Sequence, residues 1–450
     1  MSKLFLAFYG DDFTGSTDAL EQLTLAGIRT VLFVEPPTRM QLKRFTGLQA
    51  IGVAGKSRAL TPVAMEKELR PVFRKLKALG ARHVHYKVCS TFDSSPKVGS
   101  IGRVMDVAAK IFPAPFIPIL AAAPALGRYT IFGTHFARYG IGSSGKIYRL
   151  DQHPAISRHP ITPMLEADLQ QHLSKQTRKS VALFDVLKLG LPEGEARKVL
   201  RGLLTEKPDA ILFDALCAEH LSLIGKLIDE YASERRPLFS VGSSGIETAL
   251  AGQFSAERRK RNAALSQSLL TSSATKVLVG SGSCSVVTAG QIRWAFKNGF
   301  AEVALNASKL STSKLAAAEI GRAADAAARE LRSRRSVIVH TTRGPADKRI
   351  AVKLKGGTAK VLGTALGRVL RRALEQCPTE RVCVAGGDTS SYAARALGIQ
   401  ALEMIAPLTP GAPLCRAHAP GSAVDGCEVV FKGGQVGAEN YFEILKRGKI

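Results

Sequence analysis

No C-x-x-C pair occurs among the seven cysteines (Cys89, Cys217, Cys284, Cys377, Cys383, Cys415, Cys427), and their number is odd. That usage argues against a zinc site and a disulfide framework, and for a reducing compartment. Uninterrupted apolar runs approaching the ~20 residues of a membrane helix are also missing. The start, Met1-Ser2-Lys3 followed by an apolar run and Asp11-Asp12, lacks the pattern of a signal peptide. A soluble cytoplasmic protein with no membrane partner is therefore expected. Aromatic residues make up only 6% of the chain, with a single Trp, and none interleave the basic clusters Arg258–Arg261 and Arg332–Arg335. Base stacking is thus poorly provided for, and nucleic acid is not the expected partner. Acidic residues are scarce, 37 against 63 Lys+Arg, for a net charge of +26. Such a balance suits anionic ligands, small phosphorylated or carboxylated metabolites among them.

What is present is globular. A hydrophobic content of 45% with 22% charged residues excludes a disordered chain, and 450 residues exceed one ordinary core. The informative stretch is Lys3–Leu20, KLFLAFYGDDFTGSTDAL. An apolar run reads as a buried strand, Gly10 breaks it, and Asp11 and Asp12 stand side by side before a helix over Asp18–Ala26. In α/β folds ligands bind beyond the carboxyl ends of such strands. Two carboxylates there repel and lose hydration unless sugar hydroxyls, a metal ion or a proton to be abstracted uses them. The plainer role is capping, of the turn by Asp11 and of the helix by Thr14 or Ser16.

The rest of the chain alternates strands and helices. Strands are expected at Arg29–Val34, Leu48–Val53, His83–Lys87, Phe116–Ala123, Tyr129–Gly133, Ser180–Phe184, Asp209–Phe213 and Pro237–Val241. Helices are expected at Pro62–Leu79, Gly99–Ile111 and, capped by Thr162, Glu166–Ser174. The stretch 253–275 is polar, basic and Ser-rich, and reads as a linker. Beyond it strands are expected at Lys276–Val279, Val303–Leu305, Ser336–Thr341, Arg381–Ala385, Ala401–Ile405 and Glu428–Phe431. Helices alternate with them at Val286–Asn298, Thr312–Arg332, Gly357–Gln376 and Ser391–Leu397. The expected fold is α/β in two domains, 1–255 and 256–450, each a mixed or largely parallel sheet flanked by helices.

Three Gly/Ser/Thr turns follow strands of the second domain: GSGSCS (Gly280–Ser285), GGDTSS (Gly386–Ser391) and KGGQVG (Lys432–Gly437). Glycine lets backbone N–H groups approach a phosphate, hydroxyls add donors, and a following helix start adds positive potential. Three such turns at consecutive strand ends would converge on one crevice suited to a nucleotide's phosphate tail. Asp388 could act there through Mg²⁺ or as a helix cap. Gly140–Lys146 imitates the spacing of a phosphate-binding loop, yet Ile147 stands where its hydroxyl belongs, so a hairpin turn is expected. In the first domain Asp93 lies among Ser90, Thr91, Ser94 and Ser95. Lys87 and Arg103 are placed to neutralise an acid group, and His135 is a candidate hydrogen-bonding or structural histidine.

Together these pieces resemble the four-carbon acid sugar kinase family. The matching motifs are GDDFTGSTD (Gly10–Asp18), YKVCSTFDSSPKVGSIGR (Tyr86–Arg103), HPITPMLEADL (His159–Leu169), GSGSCS, AGGDTS (Ala385–Ser390), PGAPL (Pro410–Leu414) and FKGGQVGAENYF (Phe431–Phe442). The resemblance implies an N-terminal acid-sugar-binding domain, a C-terminal nucleotide-binding domain, and an active site in the interdomain cleft. It places the substrate near Asp11, Asp12 and Thr91–Asp93, with Lys87, Arg103 and His135 as further substrate-side candidates. It places ATP, with Mg²⁺, on Ser281, Ser283, Ser285, Gly386, Gly387, Asp388, Thr389, Ser390, Gly433 and Gly434. One of Asp11, Asp12 or Asp93 would orient the acceptor hydroxyl and take its proton, with Asp12 favoured by its place in the strand-end turn. The family commonly has Ala where Gly10 stands, Glu where Asp388 stands and an aromatic where Leu414 stands, which leaves the sugar acid open. A kinase for another hydroxy acid or polyol, or a nucleic-acid-binding regulator, are the alternatives. A homodimer would be ordinary for such an enzyme.

Overall fold

A computed structural model describes residues 4–139, 145–157, 162–252, 275–345, 347 and 357–448. The Ser-rich linker with its Arg258–Arg261 cluster, most of the Gly140–Lys146 motif and the start of the His159 motif lie outside the described residues. The chain divides into two compact units, one of Met1–Thr30 and Pro36–Asn262, the other of Val31–Glu35 and Ala263–Ile450.

Strands of the first unit are β1 (Leu6–Gly10), β3 (Ala50–Ala54), β4 (His83–Lys87), β5 (Ile117–Leu120), β9 (Val181–Phe184), β10 (Ala210–Phe213) and β11 (Leu238–Gly242). They form a parallel sheet in the order β3-β1-β4-β11-β5-β10-β9. Leu6–Gly10 is buried along its whole length, as a strand covered on both faces must be. Three further strands, β6 (Arg128–Ile131), β7 (Thr134–Arg138) and β8 (Ile147–Arg149), make a small antiparallel sheet. β7 and β8 pair antiparallel, with Arg138 opposite Ile147.

The first core is built around Phe73 of the helix Pro62–Ala78, whose ring centroid lies 5.2 Å from Phe239, 6.0 Å from Phe112 and 6.2 Å from Tyr86. Tyr86 of β4 also stacks on Tyr9 of β1 at 5.8 Å. These tyrosines turn their hydroxyls toward the loop after β3. Tyr86 Oη lies 2.7 Å from Ser57 Oγ, and Tyr9 Oη accepts from the Lys56 amide at 3.4 Å. Packing in the core thereby fixes the short turn Ser57–Ala59.

The second unit contains β2 (Thr30–Phe33, from Val31 onward), β12 (Val277–Ser281), β13 (Ala301–Ala304), β14 (Val337–His340), β15 (Arg381–Ala385), β16 (Ala401–Ala406), β17 (Leu414–His418) and β18 (Glu428–Lys432). The order is β13-β14-β12-β15-β18-β17-β16-β2, parallel as far as β18 and antiparallel beyond it. Arg381, fully buried, holds the last helix, Tyr441–Arg447, to this sheet. It donates to Glu428 at 2.7 Å and to the Leu445 carbonyl at 2.6 Å.

Two local expectations are corrected. The helix before β9 spans Leu169–Ser174, and Asp168 caps it; Thr162 instead donates to Asp93. The helix after β15 spans Gly387–Ala396, absorbing most of the GGDTSS turn. Its poor helix formers are tolerated because the helix Thr358–Gln376 lies close against it. A Cβ on Gly363 would meet the Thr389 carbonyl at 2.8 Å, and one on Gly367 the Ala393 carbonyl at 2.6 Å. Strand β17 is additional to those expected. Among the described residues no helix is long and apolar enough to cross a membrane.

Candidate active site

At the end of β1 the backbone stays pinned, the Asp11 amide donating to the Lys87 carbonyl at 2.8 Å. Asp12 leaves the strand with extended geometry and caps the helix Phe13–Leu25. Its Oδ1 accepts from the Gly15 amide at 2.6 Å and its Oδ2 from the Thr14 hydroxyl at 3.0 Å. Capping thus falls to Asp12. Gly10 has a packing reason, since a Cβ there would stand 1.9 Å from Ser16 Oγ.

The residue that joins the pair is Arg58, on the turn fixed by Tyr9 and Tyr86. It donates to both oxygens of Asp11, from Nε at 3.2 Å and from Nη2 at 3.1 Å. Its Nη1 lies 2.7 Å from Asp12 Oδ2. Burial pushes the Asp11 carboxyl up to about 6, Arg58 pulling it down while the charges of Asp12 and Asp93 push it up. Burial opposes the charge on Arg58, but the three carboxylates outweigh it and raise its pKa. Sequence reasoning does not single out Arg58, because it lies 47 residues from Asp11 in a turn without a motif of its own.

Asp93 joins this cluster electrostatically. Thr91 donates to its Oδ1, and Thr162 to its Oδ2 at 3.2 Å. Lys87 is buried at the end of β4, 3.1 Å from Asp18 Oδ2, and donates to the Val88 carbonyl at 3.0 Å. Gly15 packs closely against these groups. A Cβ there would lie 2.7 Å from Asp12 Oδ1, 3.6 Å from Lys87 Nζ and 3.9 Å from Asp11 Oδ1. The other two candidates are engaged elsewhere. Arg103 pairs with Glu66 of the helix Pro62–Ala78. His135 is buried with its Nε2 2.9 Å from the Ser90 carbonyl and its Nδ1 2.9 Å from Thr130 Oγ1, and burial lowers its pKa to about 4. A neutral imidazole donating from Nε2 and accepting at Nδ1 satisfies both contacts and braces the loop that carries Thr91 and Asp93.

In the second unit the three turns meet. A Cβ on Gly282 would fall 2.4 Å from Thr389 Oγ1, one on Gly386 3.3 Å from the Ser283 amide nitrogen, and one on Gly434 2.8 Å from Ser283 Oγ. Gly386 has φ +125°, a conformation that side chains rarely adopt. Ser285 caps the helix Val286–Lys297, accepting from the Val287 amide at 3.2 Å, and Ser283 accepts from the Ser285 amide at 3.2 Å. Ser390 Oγ folds back onto the Gly386 carbonyl at 2.8 Å. The Gly433-Gly434 turn is held by Thr288, which donates to the Gly434 carbonyl at 2.8 Å, and by Gln291, which donates to the carbonyls of Val436, Gly437 and Ala438. The Ser281 hydroxyl is buried without a hydrogen-bond partner among the described residues. Two helix starts, closely packed glycine turns and a buried hydroxyl without a partner fit a phosphate chain. The Asp388 side chain lies outside the described part. Among the described residues no three His, Cys, Asp or Glu side chains gather as a metal cage.

Comparison with known proteins divides the chain in the same way. Residues 6–250 match the Sugar-binding N-terminal domain family, and residues 278–442 match the Nucleotide-binding C-terminal domain family. A 3-oxo-isoapionate kinase of Paraburkholderia graminis is 42% identical, over 99% of this chain and 95% of that protein. A 3-oxo-tetronate kinase of Methylobacterium radiotolerans is 29% identical, over 98% of each. A crystal structure from Salmonella typhimurium LT2, provisionally described as a tRNA synthase, superposes with a TM-score of 0.74 at 25% identity over 98% of both chains. A Haemophilus influenzae protein at 22% identity shares the fold, with a TM-score of 0.68 over 98% of this chain and 99% of that one. The chain belongs to the four-carbon acid sugar kinase family.

Proposed function

We propose that this protein is an ATP-dependent kinase acting on a hydroxyl of a small 3-oxo sugar acid, of the class for which its 42%-identical relative is named. The observation that carries the reading is the buried Asp11–Asp12 pair at the end of β1, bridged by Arg58 beside Gly15. Lys87, buried beside Gly15 and paired with Asp18, steadies the turn that carries the two carboxylates. Residues 1–255 would hold the sugar acid and 256–450 the nucleotide.

Phosphoryl transfer is chiefly positioning and charge neutralisation. ATP supplies the phosphoryl group, and Mg²⁺ offsets the charge on its oxygens. Asp11 is the better proton acceptor, because its carboxyl is tuned to about 6, near the pH at which a base must work. Asp12, which caps the helix Phe13–Leu25, orients the hydroxyl and holds the turn. This reverses the preference for Asp12 drawn from chain position. Arg58 keeps the carboxylates ionised without leaving two like charges unopposed. In the nucleotide half the turns at Ser283, Gly386–Ser390 and Gly433-Gly434 bind the phosphates by backbone N–H and hydroxyl donors. As a consumer of ATP the protein is proposed to work in the cytoplasm.

The test is ADP release from Mg·ATP with 3-oxo-isoapionate, 3-oxo-tetronate, threonate and erythronate as acceptors. Turnover is expected to be greatest with the first. A preference for 3-oxo-tetronate would keep the reaction and replace the substrate; no ADP with any acceptor would sink the reading.

A further inference from the structure

Each unit buries a lysine at the end of a sheet strand, beside a glycine-containing turn. Lys87 ends β4 and Lys432 ends β18, and both ammonium groups are shut off from solvent. They differ in what surrounds them. Lys87 has the Asp18 carboxylate at 3.1 Å, and although burial opposes its charge, Asp18 and then Glu247 outweigh that and raise its pKa. Among the described residues the contacts of Lys432 are neutral. Its Nζ donates to Thr288 Oγ1 at 3.1 Å and to the Gly433 carbonyl at 3.0 Å, and lies 5.5 Å from the centre of the Tyr441 ring. Cys383, on the adjoining strand β15, is the titratable group that acts on it, and burial pushes that thiol up to about 12, leaving it uncharged near neutral pH. No carboxylate pairs with Lys432 among the described residues. Burial accordingly lowers the Lys432 amine to about 8.

A buried cation with no counter-ion is costly unless an anion arrives to meet it. Its position says from which side. Thr288, which accepts from Lys432, also donates to the Gly434 carbonyl, and Gly434 packs on Ser283 and Ser285 of the first nucleotide turn. The ammonium therefore lies directly under the place where the three turns converge. Resting on the kinase reading, we propose that Lys432 is the fixed cation to which the nucleotide's phosphates settle across the Gly433-Gly434 turn, and that nucleotide binding draws a proton onto its amine. Lys87 carries its counter-ion within the protein; Lys432 receives one from the ligand. The linkage has a definite sign. Below the free-state pKa the amine is already charged and binding moves no proton. Above it, binding takes one up, and affinity falls by as much as tenfold for each pH unit.

The experiment is titration calorimetry of Mg·ADP into the full chain, in pairs of buffers with different ionisation heats, at about pH 6.5 and at about pH 8.5, where phosphate groups no longer titrate. Uptake near zero is expected at the lower pH and well over half a proton at the higher. In Lys432→Met the uptake should vanish, the Kd should rise about 10- to 100-fold at neutral pH, and KM for ATP should change more than kcat. The variant should melt no lower than the parent, since it removes a buried charge without a partner. Equal proton uptake in the parent and in Lys432→Met, or Kd values within twofold, would overturn the inference and leave the kinase reading intact. Parent protein that binds Mg·ADP without taking up a proton at the higher pH would overturn it without recourse to any variant. Failure of the parent to bind nucleotide at all would overturn the kinase reading and this inference with it.

Discussion

Arg58 Nη1 stands 2.7 Å from Asp12 Oδ2 while the same guanidinium grips Asp11. Arg58 is thus the counter-ion on which both carboxylates depend. Replacing it with Ala leaves buried carboxylates unopposed, which costs about 3–5 kcal/mol of stability when a buried pair loses one partner. Arg58→Ala should lower the urea midpoint accordingly and abolish ADP release. A variant that retains both its midpoint and its activity would contradict the role given to Arg58.

Asn caps helices about as well as Asp. Asp12→Asn should therefore keep the melting temperature within a few degrees of the parent but lower kcat about 10²-fold or more, with Kd for ATP unchanged. Asp12→Ala, which also removes the cap, should lose about a further 1 kcal/mol of stability. Calorimetry of nucleotide binding beside steady-state kinetics separates these effects.

The raised carboxyl of Asp11 predicts an acid limb. Its folded pKa of about 6 lies above the ordinary carboxylate value of 3.8. The folded protein consequently binds the extra proton between those values, and kcat/KM should fall tenfold per pH unit below about pH 6. Stability has the opposite sense for this group. Between about pH 4 and pH 6 the unfolded chain holds fewer protons than the folded one, so this site's contribution to stability declines as pH rises through that window. Asp11→Asn should remove the limb near pH 6 along with most of the rate. A limb that persists in the variant's residual activity would assign the proton to another group.

The glycine turns predict the complementary loss. A Cβ at position 434 would press 2.8 Å from Ser283 Oγ and 2.9 Å from Ser285 Cβ. Gly434→Ala should raise the KM for ATP about tenfold or more with a smaller change in kcat, because the turns bind phosphate in ground and transition states alike. Gly387→Val, at the first position of the helix after β15, should behave in the same way. Equal losses in both parameters would indicate that these turns also act on the transferred group.

Legibility followed the range of the interactions. Leu6–Gly10 and Ala210–Phe213 stand where the apolar runs put them, because a strand buried on both faces announces itself in consecutive residues. The strand-end carboxylates and the three glycine turns are visible for the same local reason. Arg58 and the setting of Lys432 are not. Arg58 acts on a residue 47 positions away. Lys432 resembles any lysine ending a strand until its surroundings are known to be neutral. The helix at Gly387 begins earlier than its residues favour because Gly363 and Gly367 admit a close neighbour, a tertiary effect that propensity does not contain. Strand β17 is partly exposed and antiparallel to both its neighbours, and so lacks the signature of the buried parallel strands.

The second sheet constrains how this chain can be cut. Val31–Glu35 adds to that sheet by pairing with β16, and Arg395 secures it with bonds to Glu35 and to the Val34 carbonyl. A gene fragment beginning after residue 262 would thus encode a nucleotide-binding half that lacks this strand. Its product would present the bare edge of β16 to every other copy in solution, an invitation to self-association. Expression of that half as an independent module calls for a graft of residues 31–35 onto it, or for a charged substitution that blunts the exposed edge.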